Sequence, residues 1–237
     1  MTTALLHVSD AISGYGASRV LLGMELRVRA AEVVALMGRN GMGKTTTIRT
    51  ILGLLPLKGG DIQFGGRSVR GMPVYRIARA GIGLVPEGRC ICTTLTVEEN
   101  LIATQRPPPG GGAGWTLSAV YELFPRLAER RRNSGGRLSG GEQQLLAIGR
   151  ALMTNPRLLI LDEATEGLAP LIREQVWHTL ERLKQAGQSI LIVDKDIDAL
   201  ARLADRHFVI EKGRVVWEGD RDMLERDRPQ VLRLMGI

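Results

Sequence analysis

The segment at residues 38–45 limits the fold of this chain more than any other part of its sequence. It reads GRNGMGKT, which fits the G-x-x-x-x-G-K-T pattern of phosphate-binding loops. The apolar residues 33–37 before it predict a buried strand, and the residues from Lys44 onward favour a helix. Loop glycines let successive backbone N–H groups converge on phosphate oxygens, and the helix start adds partial positive charge. This strand–loop–helix unit therefore predicts a nucleotide-phosphate site.

Two side chains of the loop carry specific expectations. Lys44 is expected to reach the β- and γ-phosphates of ATP, and the Thr45 hydroxyl is expected to ligate Mg²⁺. The plain alternative is a glycine-rich turn that contains lysine and threonine by coincidence, and the position between a strand and a helix argues against it. The residues expected to contact the nucleotide here are Gly38, Arg39, Asn40, Gly41, Met42, Gly43, Lys44, Thr45 and Thr46.

Two adjacent carboxylates follow the most apolar strand pattern of the chain. Residues 158–161 read LLIL and lead directly into Asp162 and Glu163. Such a strand delivers both side chains to the carboxyl edge of a parallel sheet, where α/β proteins bind ligands. Asp162 is expected to hold the metal ion, and Glu163 is expected to polarise the attacking water. Two solvated acids at a strand end are the alternative.

Strand and helix patterns alternate along the chain and predict an α/β protein with a largely parallel core sheet. Residues 5–28 alternate apolar and polar side chains and predict a short antiparallel sheet. The glycine pairs at 59–60 and 65–66 are expected to separate a further strand pair, and Pro73 is expected to be the first residue of a helix. The other predicted elements are strands at 82–85, 158–161, 189–193, 206–210 and 214–217, an exposed Pro- and Gly-rich loop at 106–115, helices up to about 155 and at 170–186, and a helical C-terminal tail.

The composition is that of an ordinary globular protein, with 237 residues of which 44% are hydrophobic and 24% are charged. The net charge of +7 raises nucleic acid as a partner, but 25 acidic residues and only three each of Tyr, Phe and Trp favour a solvated basic face. The only cysteines, Cys90 and Cys92, are too close for ordinary disulfide geometry, and with three histidines they make no metal-ligand set. The first residues show no secretory-signal pattern, and no apolar run reaches the roughly 18 residues of a membrane span, so a membrane role would need a partner.

A third motif occupies residues 138–144, which read LSGGEQQ. Ser139 and the two glycines at a predicted helix start would make an anion-binding helix terminus with close backbone approach. A plain capping box between Ser139 and Glu142 would account for the helix start but not for Gly140 and Gly141.

This third motif resembles the signature sequence of ABC-type ATPases, and the resemblance covers nearly the whole chain in family order. It implies a P-loop NTPase core with a mostly parallel sheet, an N-terminal antiparallel β-subdomain and an inserted helical subdomain. Residues 1–237 would form a single ABC ATPase domain, with the helical subdomain at about residues 87–155.

The resemblance also implies roles for single residues. Tyr15 matches the aromatic residue that stacks on adenine, and Glu87 stands where the family's Q-loop has glutamine, near nucleotide and metal. Residues 165–170, TEGLAP, lie where the D-loop should be. In the family two subunits pack head to tail, so that the signature motif of each caps the nucleotide held by the other. Here the capping residues would be Ser139, Gly140, Gly141 and Glu142.

Within the family, the chain is most similar to the smaller ATPase subunit of branched-chain amino acid importers. The similarity lies in VPEGR and LTVEENL at residues 85–101, TEGLAP, YELFPRL at 121–127 and the final LMGI. It implies an ATPase that uses ATP and Mg²⁺ at the cytoplasmic face of the membrane, with permease subunits, an unlike second ATPase subunit and, indirectly, a solute-binding protein as partners. A homodimer could form in isolation. A urea or short-amide importer stays open as an alternative, as do a nucleic-acid-associated ABC ATPase and a subunit that binds ATP without hydrolysing it.

One position departs from the family pattern at the expected site. Lys195 occupies the place of the family's switch histidine, which reaches the γ-phosphate. Lysine offers only a mobile cation, which could still stabilise charge on the γ-phosphate. The alternative is a surface lysine between Asp194 and Asp196. The catalytic candidates are therefore Glu163, Lys44 and Lys195.

Overall fold

The computed structural model describes residues 4–112 and 114–237. Residues 1–3 of the N-terminal segment, and Ala113 of the predicted loop at 106–115, lie outside the described residues. The strands are β1 (Leu6–Ser13), β2 (Leu21–Val28), β3 (Val33–Met37), β4 (Leu57–Phe64), β5 (Arg67–Ser68), β6 (Ile82–Val85), β7 (Leu158–Asp162), β8 (Ser189–Val193), β9 (Arg206–Glu211) and β10 (Arg214–Asp220). The helices are α1 (Lys44–Ile51), α2 (Val74–Arg79), α3 (Val97–Ile102), α4 (Leu117–Leu123), α5 (Pro125–Glu129), α6 (Gly140–Leu152), α7 (Pro170–Gln185), α8 (Ile197–Leu203), α9 (Arg221–Arg226) and α10 (Arg228–Met235), with a 3₁₀ turn at Gly135–Arg137.

Two sheets form the framework of the fold. The first has four antiparallel strands in the order β2-β1-β4-β5. The second has six strands in the order β10-β9-β3-β8-β7-β6, which are parallel except for β10 at one edge. The predicted α/β class, with a mostly parallel core sheet and an antiparallel N-terminal sheet, is confirmed. Because the core strands are parallel, the loops after β3, β7 and β8 meet at one edge of the sheet.

The core sheet is covered on both faces, which explains the uninterrupted apolar runs of its strands. In β3, Val33, Ala35 and Met37 belong to a hydrophobic cluster shared with the helices on one face. Val34 and Leu36 belong to a second cluster shared with α1 and the antiparallel sheet. Successive strand residues point to opposite faces, so both sets must be apolar.

Helices α3 to α6 fill most of the segment between β6 and β7, where the sequence predicts a helical subdomain. A capping box starts α3: the Thr96 hydroxyl accepts from the Glu99 N–H, and the Glu99 carboxylate accepts from the Thr96 N–H. Leu101 of α3 and Val120 of α4 lie close to Gly149 of α6, where an added Cβ would come within 3.1 Å of both side chains. The small residue thus allows α6 to approach both helices.

Three details of the predicted elements were wrong. The glycines at 59–60 lie inside β4 rather than between strands. Gly60 has φ of 75°, and an added Cβ would lie 2.3 Å from the Asp10 carbonyl oxygen, at an irregularity where β4 pairs with β1. Pro73 precedes α2 instead of starting it, with extended backbone. Strand β9 extends to Glu211 and β10 extends to Asp220, both further than predicted, because Glu211 pairs with Arg214 and Asp220 pairs with Arg206.

The longest helix, α7, has 16 residues. Within the described ranges, no helix combines the length and the hydropathy that a bilayer span requires.

Candidate nucleotide site

The loop between β3 and α1 has the backbone that phosphate binding requires. Gly38, Gly41 and Gly43 all have positive φ, at 144°, 80° and 110°. At Gly38 a side chain is also excluded by space, because an added Cβ would lie 2.4 Å from the Ile210 carbonyl oxygen of β9. Among the residues that the structure describes, no side chain caps the first turn of α1. The N–H groups at this helix start are therefore available to an anion.

Lys44 lies inside the loop rather than in solvent. Its ammonium donates to the Gly38 carbonyl oxygen at 2.9 Å and to the Arg39 carbonyl oxygen at 3.2 Å. The side chain is only 5% exposed, and burial lowers its pKa while the nearby Glu163 carboxylate opposes that shift. The loop thus holds a cation on the side toward the two carboxylates.

Thr45 and Asp162 form a pair of oxygen ligands across the site. The Thr45 hydroxyl at the start of α1 donates to Asp162 Oδ1 at the end of β7, 3.4 Å away. Asp162 is buried, and this burial raises its pKa because a charged carboxylate loses hydration there. A cation bound by Thr45 and Asp162 would stabilise the charged form of this buried carboxylate. Hydroxyl and carboxylate oxygens are the donor set that hard divalent cations prefer, so the residues fit Mg²⁺.

Glu163 follows Asp162 and lies between two ammonium groups. Its Oε1 is 3.8 Å from Lys44 Nζ, and its Oε2 is 3.6 Å from Lys195 Nζ. Its backbone has φ of 49°, and its N–H donates to the Val193 carbonyl oxygen at the end of β8. Burial, followed by the neighbouring Glu166 carboxylate, raises the pKa of Glu163 to about 7. A carboxyl group with such a pKa is suited to general-base chemistry near neutral pH.

Lys195 is held by an acid that the sequence analysis did not single out. Lys195 Nζ donates to Glu166 Oε1 at 2.6 Å, and this contact raises the lysine pKa. Glu166 lies in the turn after β7, and its closeness to Lys195 depends on β7 and β8 being neighbours in the sheet. Its place in the TEGLAP segment at residues 165–170 was the sequence signal for it, and that segment carried no expectation of a contact with Lys195.

Residues of the phosphate loop, Glu163, Glu166 and Lys195 line a cavity of about 330 Å³. Glu87, which follows β6, joins them there, and the carboxylates of Glu87, Glu163 and Glu166 lie within 4.8 Å of one another. Asp162 lies just below this cavity through its contact with Thr45. The residues that line it are Asn40, Gly41, Gly43, Lys44, Thr45, Thr46, Glu87, Glu163, Glu166 and Lys195.

Tyr15 does not line this cavity. It lies just beyond β1 with 44% of its surface exposed, and its hydroxyl accepts from Arg49 Nη1 of α1 at 3.2 Å. Its ring is therefore beside the helix that follows the phosphate loop. The expected stacking on adenine stays a prediction.

The signature motif begins α6, and its residues do not line the cavity. Ser139 and Glu142 form a capping box, in which the Glu142 N–H donates to the Ser139 hydroxyl and the Ser139 N–H donates to the Glu142 carboxylate. An added Cβ at Gly140 would lie 2.7 Å from Arg89 Nη1, and one at Gly141 would lie 2.6 Å from Ile172 Cγ2. The two glycines thus allow close packing on the helix start. The expected cap of these residues over a second subunit's nucleotide stays a prediction.

Comparison with known proteins gives consistent matches. The family model described as ABC transporter matches residues 21–166. The high-affinity branched-chain amino acid transport ATP-binding protein BraG of Pseudomonas aeruginosa is 42% identical over 85% of this chain and 87% of its own length. The lipopolysaccharide export ATP-binding protein LptB of Escherichia coli is 31% identical over 91% of this chain and 90% of its own length. A solved ATP-binding cassette of an ABC transporter is 25% identical, with a TM-score of 0.82 over 98% of this chain and 99% of that one.

Proposed function

The chain belongs to the ABC transporter family of ATPases, and from its similarity to BraG we propose that it powers the import of branched-chain or closely related amino acids. It is an ATP-hydrolysing subunit of a transporter. The solute is the proposed part, and its support is the similarity to a branched-chain amino acid transport protein across most of both chains. Relatives at lower identity include an export subunit, so family membership alone does not name the solute.

The chemistry proposed for the site rests on one observation: Glu163 lies next to the phosphate loop with an ammonium group on each side. Lys44 and the loop N–H groups would hold the β- and γ-phosphates, and Thr45, Asp162 and Glu87 would hold Mg²⁺. Mg²⁺ would offset phosphate charge. Glu163 would accept a proton from the attacking water, and Lys195 would stabilise charge on the γ-phosphate.

The proposed assembly is a pair of ATPase subunits at the cytoplasmic face of the membrane, bound to permease subunits. The chain carries both a phosphate loop and a signature helix start, and these lie apart from each other. Two subunits packed head to tail would bring the Ser139 to Glu142 turn of each over the nucleotide of the other. An unlike second ATPase subunit is proposed as the native partner, and a solute-binding protein would deliver the solute to the permease.

The test is transport by the native complex. An affinity-tagged chain is purified from its host membrane, the co-purifying subunits are identified by mass spectrometry, and the complex is placed in liposomes. ATP-dependent uptake of labelled leucine, isoleucine or valine, abolished by Glu163→Gln, is the expected result. Uptake of urea or short amides, or export of a lipid, would overturn the proposed solute while leaving the ATPase function in place.

A further inference from the structure

The geometry points to Glu166 as a positioning residue, which holds the Lys195 ammonium beside Glu163 and prevents it from pairing directly with that carboxylate. This inference rests on the proposed role of Glu163 as the base. A base must keep an oxygen free to accept a proton from water. An ammonium bound directly to it would occupy that oxygen.

The distances separate the two contacts of Lys195 clearly. Its Nζ is 2.6 Å from Glu166 Oε1, which is a direct charge-assisted hydrogen bond. The same Nζ is 3.6 Å from Glu163 Oε2, which is beyond hydrogen-bond distance. A movement of less than about 1 Å would exchange one partner for the other. Glu166 therefore decides which carboxylate receives the lysine.

The backbone on both sides of this ion pair is fixed. Thr165 and Asp194 precede Glu166 and Lys195, and the Thr165 hydroxyl donates to Asp194 Oδ2 at 2.6 Å. Asp194 is buried, and its Oδ1 accepts from the Lys195 N–H at 2.8 Å. A hydrogen bond thus ties the two segments together one residue before the ion pair. This reduces the entropy cost that makes most exposed ion pairs weak.

The charges around the cavity explain why a cation belongs there. Glu87, Glu163 and Glu166 bring three carboxylates within 4.8 Å of one another. Lys44 donates to loop carbonyl oxygens on one side, and Lys195 lies on the other. When ATP enters, its γ-phosphate presents Lys195 with a further anion. Because an ammonium has three N–H donors, Lys195 can contact that phosphate while it stays bound to Glu166.

The first test is a double-mutant cycle in ATP turnover, measured on the purified native complex with Glu166→Gln, Lys195→Gln and the double variant. Without the negative charge, Lys195 is expected to pair with Glu163, so Glu166→Gln should lower kcat about tenfold, with KM within about twofold. In the Lys195→Gln background the same change should alter kcat less than about twofold, since no lysine is left to misplace. Glu174→Gln, an exposed acid on α7, is the matched control and should leave kcat unchanged.

An equal loss from Glu166→Gln in both backgrounds would overturn the inference, because Glu166 would then act independently of Lys195. A Glu166→Gln variant whose kcat equals that of Glu174→Gln would overturn the inference as well.

The second test does not depend on activity. Limited acetylation of the purified chain, followed by mass spectrometry, compares the labelling rate of Lys195 with that of exposed Lys212. In a Glu163→Gln background, where no second carboxylate can take over the lysine, Glu166→Gln should raise the relative rate at Lys195 about threefold or more, since the ion pair protects the amine, and Glu174→Gln should not. An unchanged rate at Lys195 would refute the pairing. If Glu163→Gln retains turnover, the proposed base fails, and this labelling still decides the Lys195–Glu166 contact.

Discussion

Replacing Glu163 with glutamine is expected to stabilise the folded chain above neutral pH while stopping ATP turnover. The Glu163 side chain is 13% exposed, and its pKa is raised from 4.5 to about 7, with burial as the largest cause. The folded protein therefore favours the protonated, neutral carboxyl group. Glutamine imitates that neutral form at every pH. The natural chain loses folding free energy when the buried Glu163 ionises, and the glutamine variant should not show this loss.

The sign of the pH dependence follows from the raised pKa. The folded chain binds the Glu163 proton more tightly than the unfolded chain, so the free energy of unfolding falls as pH rises from about 4.5 to about 7. At about 1.4 kcal/mol for each unit of pKa, the upper limit of this loss is about 3 kcal/mol. Because the Glu163 and Glu166 carboxylates lie within 4.8 Å of each other, their protonation is interdependent, and about 1 to 3 kcal/mol is the expected range.

The assay is thermal unfolding of the natural chain and of Glu163→Gln at pH 5 and pH 8, without nucleotide or divalent cation. At pH 5 the difference in stability should be below about 1 kcal/mol, and at pH 8 the variant should unfold roughly 3 to 9 °C higher. Glu174→Gln should show no such change between the two pH values. A difference between Glu163→Gln and the natural chain that is equal at both pH values would refute a raised pKa at Glu163. ATP turnover should fall at least about 100-fold in the same variant.

Two further substitutions test glycines that allow close contacts. Gly141→Ala places a Cβ 2.6 Å from Ile172 Cγ2 and should destabilise the chain by about 1 to 3 kcal/mol in thermal unfolding. The double variant with Ile172→Ala should lose less stability than the sum of the two single losses, because the smaller side chain relieves the clash. Losses that add strictly would contradict the clash. Gly236→Ala has a strained φ of 73° and should destabilise the chain by about 1 to 2 kcal/mol in thermal unfolding. Gly71→Ala, with φ of 72° and open space around it, should cost about the same, because the exposed Arg39 side chain can move away from the Gly236 Cβ that would lie 2.8 Å from its Nε. A much larger loss at Gly236 would show that Arg39 cannot move.

The fold could be predicted from the sequence where one pattern had one physical cause. The runs that became β3, β7 and β8 are apolar throughout because both faces of the sheet are covered, and their bounds were predicted closely. The glycines at 59–60 misled because glycine marks both turns and irregular strands. Only the pairing of β4 with β1, which is not visible in local sequence, separates the two cases.

The candidate site divides in the same way. Lys44 and Thr45 follow β3, and Asp162 and Glu163 end or follow β7, so their places along the chain suffice to predict a common edge. The contact between Glu166 and Lys195 cannot be predicted from positions along the chain alone. It depends on the adjacency of β7 and β8 and on a turn that brings two loops together through a hydrogen bond. Local patterns carry no information on that turn, and Lys195 could therefore be interpreted equally well as a surface residue.

The charges of the site bear on the proposed pairing of two subunits. Lys44 and Lys195 face four carboxylates, of Asp162, Glu163, Glu166 and Glu87, so the side chains alone do not attract an anion. Attraction would come from the loop N–H groups and the start of α1, and from a divalent cation if Thr45 and Asp162 hold one. An additional anion-binding helix start, such as that of α6 in a second subunit, would add what this face lacks. A site of this composition is expected to bind ATP weakly in one chain and tightly only between two.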